Sequence, residues 1–297
     1  MRKKNEPLSA ATITRYVEIV KQVVASAVDE ESGKRLYLPG WDHTFIDMPK
    51  VNKKKQKRPS ISSEIMSGLA RYPVKLCRVL FILLAATGAR IGEMLGLEID
   101  KHISPDFRTI FIRQKVYKCE IQHYLKTDAS YRDIDLHPAI SAVLREFVGD
   151  RKFGLVFTVR GGPLATGALY HYHLHPALKA LGYKSNFDQS HKAGFHAFRR
   201  FRNTFLKNFT HCSEGLRKYW LAWANGEDND ERGGREDMGD RYDMIADNLP
   251  FRLQMAEECG FGFELPSLVP TVPRCGQCHS DSETSQADEN KECDWSI

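Results

Sequence analysis

Eight consecutive residues from Val79 to Ala86 read Val-Leu-Phe-Ile-Leu-Leu-Ala-Ala, with no polar side chain. Wound into a helix, such a run is apolar on every face, so protein must surround it. It falls far short of the ~20 residues that span a bilayer, and no membrane partner is expected. The run predicts a core helix opened by Pro73. Thr87-Gly88-Ala89 interrupts it before Arg90 to Leu97 resumes the pattern. A helix of this kind needs other elements packed around it. The chain can supply them, with 297 residues, 42% hydrophobic and 27% charged. That length fits one large or two modest globular domains. The composition excludes a wholly disordered chain, a collagen and a coiled-coil rod.

Helical periodicity also marks residues 9–29, where Ile13, Tyr16, Val17, Val20, Val23, Val24 and Val28 recur at three- and four-residue steps. Ser9 and Thr12 offer capping oxygens there. Lys50 to Arg58 holds six bases in nine residues with no apolar period, which reads as a linker. Ser60 to Glu64 has the character of a capping box at a helix start. Three alternating runs, 109–116, 120–126 and 131–136, predict a small antiparallel meander. Pro138 opens another helix through Phe147, and Leu155 to Val159 reads as a short strand. From Thr166 to about 258 the pattern is helical, broken by an acidic loop at 225–240. The fold class expected is α+β, mainly α, with a small antiparallel sheet and a short helical N-terminal segment.

The net charge of +5 conceals an asymmetry. The stretch from Ser280 to Ile297 has six acids and one base, so residues 1–279 carry +10. A basic body with an acidic tail fits a polyanionic partner. The seven cysteines are odd in number and scattered, which predicts reduced thiols of a cytoplasmic chain and not a disulfide framework. No apolar segment follows Met1-Arg-Lys-Lys-Asn-Glu-Pro7, so no secretory signal is expected.

Four separated pieces could carry chemistry. In Thr87-Gly-Ala-Arg90-Ile-Gly-Glu93, a glycine turn delivers an arginine to a helix start, with a glutamate one turn on. Lys126 sits at a hairpin tip before Thr127 and the strand Arg132-Asp-Ile134-Asp-Leu136. His196 and Arg199 share one helical face. Tyr219-Trp-Leu-Ala-Trp223 is followed, beyond the acidic loop, by Tyr242. Singly, each piece reads as an ion pair, an inert lysine, a cap or packing.

In this order the set resembles the tyrosine recombinase (phage integrase) family over roughly residues 60–262. Thr87, Gly88, Arg90 and Glu93 match its first arginine motif. Lys126 matches its hairpin lysine, and His196 and Arg199 match its His-x-x-Arg box. Trp223 stands where many members have a second histidine, and Tyr242 matches the nucleophile. The spacing from Trp223 to Tyr242 is about twice the usual one, the acidic loop making the difference. The resemblance implies a catalytic domain at 60–262. It also implies a partial helical core-binding region at 1–49, a basic linker at 50–59 and an acidic, disordered tail at 263–297.

The same resemblance implies site-specific cutting and rejoining of double-stranded DNA through a 3′-phosphotyrosyl intermediate. Arg90 and Arg199 would hold the phosphate, and Lys126 would protonate the departing oxygen. His196 would help deprotonate Tyr242, Trp223 would donate one hydrogen bond, and Glu93 would orient Arg90 or His196. No metal or other cofactor is implied. Lys53, Lys54, Lys55, Lys57 and Arg58 would strap the DNA backbone, and four protomers would act on two duplexes. A cytoplasmic, nucleoid-associated protein of bacterial or phage origin is expected. Two other readings share parts of this pattern: a type IB topoisomerase, and a DNA-binding integrase remnant that no longer recombines. Cys275-Gly-Gln-Cys278-His279 spells a haem-attachment motif, but in an acidic tail of a chain without an expected export signal it carries little weight.

Overall fold

The computed structural model describes residues 8–36, 48–51, 59–125, 127–185, 192–222 and 244–266. The apolar run lies in helix α3 (Lys75–Thr87; α1 and α2 precede it), where every residue from Val79 to Thr87 is buried. Helices α2 (Ser63–Leu69), α6 (Pro138–Val148) and α9 (His196–Phe209) pack against it. Phe81 stacks on Phe198 of α9 at 5.8 Å between ring centroids. Each large apolar side chain fully buried in such a core contributes roughly 1.5–3 kcal/mol. The chain remains packed as far as Phe263 in the core, and the Glu264 N–H donates to Ser67 Oγ at 3.0 Å.

Helix α3 stops because Gly88 takes a left-handed conformation with φ of 68°. A Cβ at Gly88 would lie 2.5 Å from Leu221 Cδ2 and 3.2 Å from Arg202 Cβ. Both the backbone angle and the space therefore demand glycine. Helix α4 (Ile91–Leu95) begins two residues later with Arg90 as its N-cap. The short α5 (Ile99–His102), unforeseen from the sequence, follows.

Instead of a three-stranded meander, two separate two-stranded pairs form. The first run splits into β1 (Thr109–Ile112) and β2 (Lys115–Tyr117). Strand β1 pairs antiparallel with β4 (Arg132–Asp135), setting Ile110 opposite Ile134. Strand β2 pairs with β3 (Glu120–Gln122), setting Val116 opposite Ile121. The break falls at Gln114, whose buried amide donates to Gly96 O at 2.8 Å and Glu98 Oε1 at 2.6 Å. That side chain turns the strand towards α4. There the hairpin backbone comes so close that a Cβ on Gly92 would lie 2.7 Å from Val116 O. Lys118 and Cys119 close the hairpin with φ of 50° and 63°, the left-handed pair that a tight two-residue turn needs.

Other expectations are met or corrected locally. Helix α1 (Ala10–Ser26) starts as foreseen, with Ser9 Oγ accepting from the Thr12 N–H at 3.2 Å. It ends before residue 29 because Val28 bridges Arg35. It has no buried residue and leaves Tyr16, Ile19, Val20 and Val23 exposed. No capping box forms at Ser60–Glu64; Ser62 caps α2 and Glu64 stands in its first turn. Leu155 to Val159 makes isolated bridges, not a strand, and Phe157 is held by stacking on Phe147 at 5.4 Å. The turn α7 (Thr166–Ala168) runs through a π-helical segment (Leu169–Leu174) into α8 (His175–Ala180). Histidines alternate along that stretch at 171, 173 and 175, a spacing that scatters side chains around a helix. His171 is exposed, but His173 is half-buried with Nδ1 3.3 Å from the Tyr72 hydroxyl. Helix α10 (Glu214–Leu221), a 3-10 turn (Met244–Ala246) and α11 (Leu249–Cys259) complete the described fold. Among the described residues no helix is long and apolar enough to cross a membrane.

Candidate active site

The Gly88 turn is where the site is assembled. Its carbonyl accepts a hydrogen bond from Arg199 Nη1 at 3.0 Å, so the α9 arginine is fixed to the turn that presents Arg90. Arg199 is buried, whereas 30% of the Arg90 side chain is exposed. Glu93 reaches back to cap the helix. Its Oε2 accepts the Arg90 backbone N–H at 2.9 Å, and its Oε1 accepts Arg90 Nη1 at 2.7 Å. One carboxylate thus fixes both the backbone and the guanidinium of Arg90. Among the described residues the Arg90 guanidinium makes no further hydrogen bond.

Glu93 is 97% buried, and such a carboxylate must be compensated to stay ionised. Burial pushes its pKa up, but Arg132 and then Arg90 outweigh that and hold it below the ordinary value. Arg132 Nη2 donates to Glu93 Oε2 at 2.9 Å from β4. Sequence reasoning treated Arg132 only as part of a strand pattern. The signal was there: in β4, Arg132 shares a face with the buried Ile134, so it had to point inward.

His196 opens α9 beside Arg199, as the three-residue spacing predicted. With Arg199, Arg200 and Asn203 it lines a depression of about 190 Å³. The residue is exposed, yet the protein beneath it still desolvates the ring. Desolvation, followed by the Arg200, Arg199 and Arg90 charges, lowers its pKa below 6.5, while Glu93 opposes the shift. The imidazole is therefore neutral at pH 7 and able to accept a proton. Titration of the His196 ring by NMR is expected to give a midpoint below 6.5, and Arg200→Ala is expected to raise it. The folding linkage has a definite sign. Below pH 6.5 the unfolded chain binds this proton more readily, so His196 lowers stability as pH falls from there towards its folded pKa.

A larger cleft of about 600 Å³ is lined by Arg90 and Glu93. Its walls include Lys115 and Lys118 of the β2–β3 hairpin, Leu125, Ser130 and Thr166. Arg200 lies at the edge of the site, where its Nη1 donates to Pro59 O at 2.8 Å. The residue that follows the lysine run is thereby tied to the helix bearing His196 and Arg199. Tyr219, the phenol nearest Trp223 in sequence, accepts the Asp133 N–H at 3.1 Å and has the Arg252 guanidinium 5.4 Å from its ring centre.

The structure brings Arg90, Glu93, His196 and Arg199 together. Lys126, Trp223, Tyr242 and the linker residues Lys53, Lys54, Lys55, Lys57 and Arg58 lie outside the described residues, as do Cys275, Cys278 and His279. Among the described residues no three His, Cys, Asp or Glu side chains cluster as metal ligands.

The architecture is that of a tyrosine recombinase catalytic domain. The chain is similar to the integrase of transposon Tn1549 in complex with a circular intermediate DNA. That match has a TM-score of 0.56 at 18% identity and covers 75% of this chain and 74% of that one. The same integrase in complex with transposon right end DNA gives a TM-score of 0.54 at 19% identity, with 75% and 74% coverage. No protein-family model matches the sequence, and no curated protein does.

Proposed function

We propose that this chain is a site-specific DNA strand-exchange enzyme that cuts and rejoins duplexes through a phosphotyrosyl intermediate. The observation that carries the reading is the convergence of Arg90, Arg199 and His196 on the Gly88 turn, in a fold shared with a DNA-bound integrase. Two guanidiniums and a neutral imidazole meet the needs of a phosphodiester under attack. Negative charge gathers on the two nonbridging oxygens, and planar guanidiniums bind such oxygens in a fork. The neutral His196 can take the proton that the nucleophile must lose.

Tyr242 is the nucleophile in this reading. Its hydroxyl oxygen attacks phosphorus, its proton leaves, and the 5′ oxygen departs with a proton from Lys126. The phosphate stays on the protein as a 3′ ester, so the bond energy is retained for resealing. Trp223 donates an indole N–H to the phosphate and takes no proton. Lys53, Lys54, Lys55, Lys57 and Arg58 follow the DNA backbone from the end anchored by Arg200, which makes binding strongly salt-dependent. Four protomers on two duplexes complete the exchange.

A nicked suicide duplex containing the target site tests this. The expected result is an SDS-stable protein–DNA adduct, followed by recombinant product on paired sites. DNA binding with no adduct would sink the catalytic reading and leave a DNA-binding remnant. Relaxation of supercoiled plasmid without site preference would point to a topoisomerase.

A further inference from the structure

We propose that Arg132 is a positioning residue for cleavage, a buried clamp that sets both the charge and the orientation of Arg90 through Glu93. The inference rests on the strand-exchange reading but concerns a residue outside the groups that touch the phosphate. The Arg132 side chain is completely buried, and each of its three nitrogens is committed. Nε donates to Trp220 O at 2.7 Å, Nη1 to Ser130 O at 2.9 Å and Nη2 to Glu93 Oε2 at 2.9 Å. The first acceptor lies at the end of α10, three residues before Trp223. The second lies four residues after Lys126. The third is the carboxylate that holds Arg90. One guanidinium thus joins the three chain segments that carry Trp223, Lys126 and Arg90.

Electrostatics give the clamp a further role. An Arg90–Glu93 pair alone would be neutral and a weak anchor for a phosphate. With Arg132 the group has two guanidiniums to one carboxylate, and a positive charge is left for the ligand. Both partners of Glu93 also satisfy its oxygens, so a buried charge is tolerated. The charged and titratable groups that act on Glu93 are Arg90 at the start of α4, Arg132 from β4 and His196 from α9, while Lys115 of β2 lines the cleft that Glu93 also lines. Of the two arginines, Arg132 contributes more to keeping Glu93 ionised. Without it, protonated Glu93 would release Arg90, and ionised Glu93 would cancel its charge.

The test uses the full chain with three changes: Arg132→Gln, Arg132→Lys and the double change Glu93→Gln with Arg132→Gln. Two readouts are taken: a carboxyl NMR titration of Glu93, and single-turnover adduct formation on the suicide duplex across pH. In Arg132→Gln the Glu93 midpoint is expected to rise. Adduct formation at pH 7 should fall about 10²-fold, the scale of losing one oriented donor, with DNA affinity unchanged. A new acid-side inflection should appear in the rate, and the double variant should lack it. Arg132→Lys should keep Glu93 ionised, because the charge remains, yet cleave slowly, because its donors sit on one nitrogen that cannot reach the three acceptors held by three separate guanidinium nitrogens. An unmoved Glu93 midpoint in folded Arg132→Gln, or a loss equal at every pH, would overturn the proposal and make Arg132 merely structural. Should Arg132→Gln fail to fold, a raised Glu93 midpoint or an undiminished rate in Arg132→Lys overturns it instead. If wild type forms no adduct, the strand-exchange reading falls, while the Glu93 titration still decides what Arg132 does.

Discussion

Tyr242→Phe is expected to form no detectable SDS-stable adduct on a nicked suicide duplex, a loss of more than about 10³-fold, with DNA affinity preserved. Phenylalanine keeps the ring and removes only the oxygen that must bond to phosphorus. At pH 7 about one phenol in a thousand is ionised, so an unassisted tyrosine is a poor nucleophile and needs nearby cations and a base. In the proposed reading Arg90, Arg199 and the neutral His196 supply them. Tyr219 is the rival phenol, and the structure gives it other work. Its oxygen accepts the β4 backbone at Asp133, and its ring carries Arg252. Tyr219→Phe should therefore leave the adduct intact and cost some stability. An adduct that survives Tyr242→Phe but disappears in Tyr219→Phe would reverse the assignment.

Much of this was legible in the sequence because local rules and tertiary needs coincided. The run from Val79 to Ala86 had no polar face, so its burial followed from composition alone. Gly88 announced a left-handed stop, and the one-turn spacing of Arg90 and Glu93 announced their pairing. The sheet was less legible. Residues 109–116 alternate as one strand, and nothing local marks Gln114 as the point where a side chain would replace ladder hydrogen bonds. That outcome depends on Gly96 and Glu98 lying opposite, which is long-range information. The same holds for His173. Its alternation with His171 and His175 implied scatter around a helix, but only packing brings Tyr72 to its ring. Arg132 shows the intermediate case: its inward direction could be inferred from Ile134, but its three acceptors could not.

Asp135→Ala is expected to destabilise the fold by about 3–5 kcal/mol, the usual cost of leaving a buried charge without its partner. The Asp135 side chain is fully buried. Its Oδ1 accepts Thr109 Oγ1 at 2.9 Å, and its Oδ2 accepts Trp220 Nε1 at 3.0 Å and Arg252 Nε at 2.9 Å. Alanine would remove all three bonds and leave the nearly buried Arg252 guanidinium with the Ala246 carbonyl, the Tyr219 ring and, as its remaining acidic partner, Asp133 at 3.6 Å. With a urea dependence of about 2–3 kcal/mol per molar, the unfolding midpoint should fall by about 1–2 M. Asp135→Asn, which keeps the shape and some hydrogen bonding, should lose less. There is also a functional consequence. Trp220 lies in the last turn of α10 and Arg252 in α11, so a single carboxylate oxygen holds helices on both flanks of the stretch 223–243, which contains Trp223 and Tyr242. In a folded Asp135→Asn, cleavage is therefore expected to slow more than stability alone explains, with DNA binding unchanged. If its adduct rate matched wild type at a temperature where both are folded, Asp135 would serve stability only.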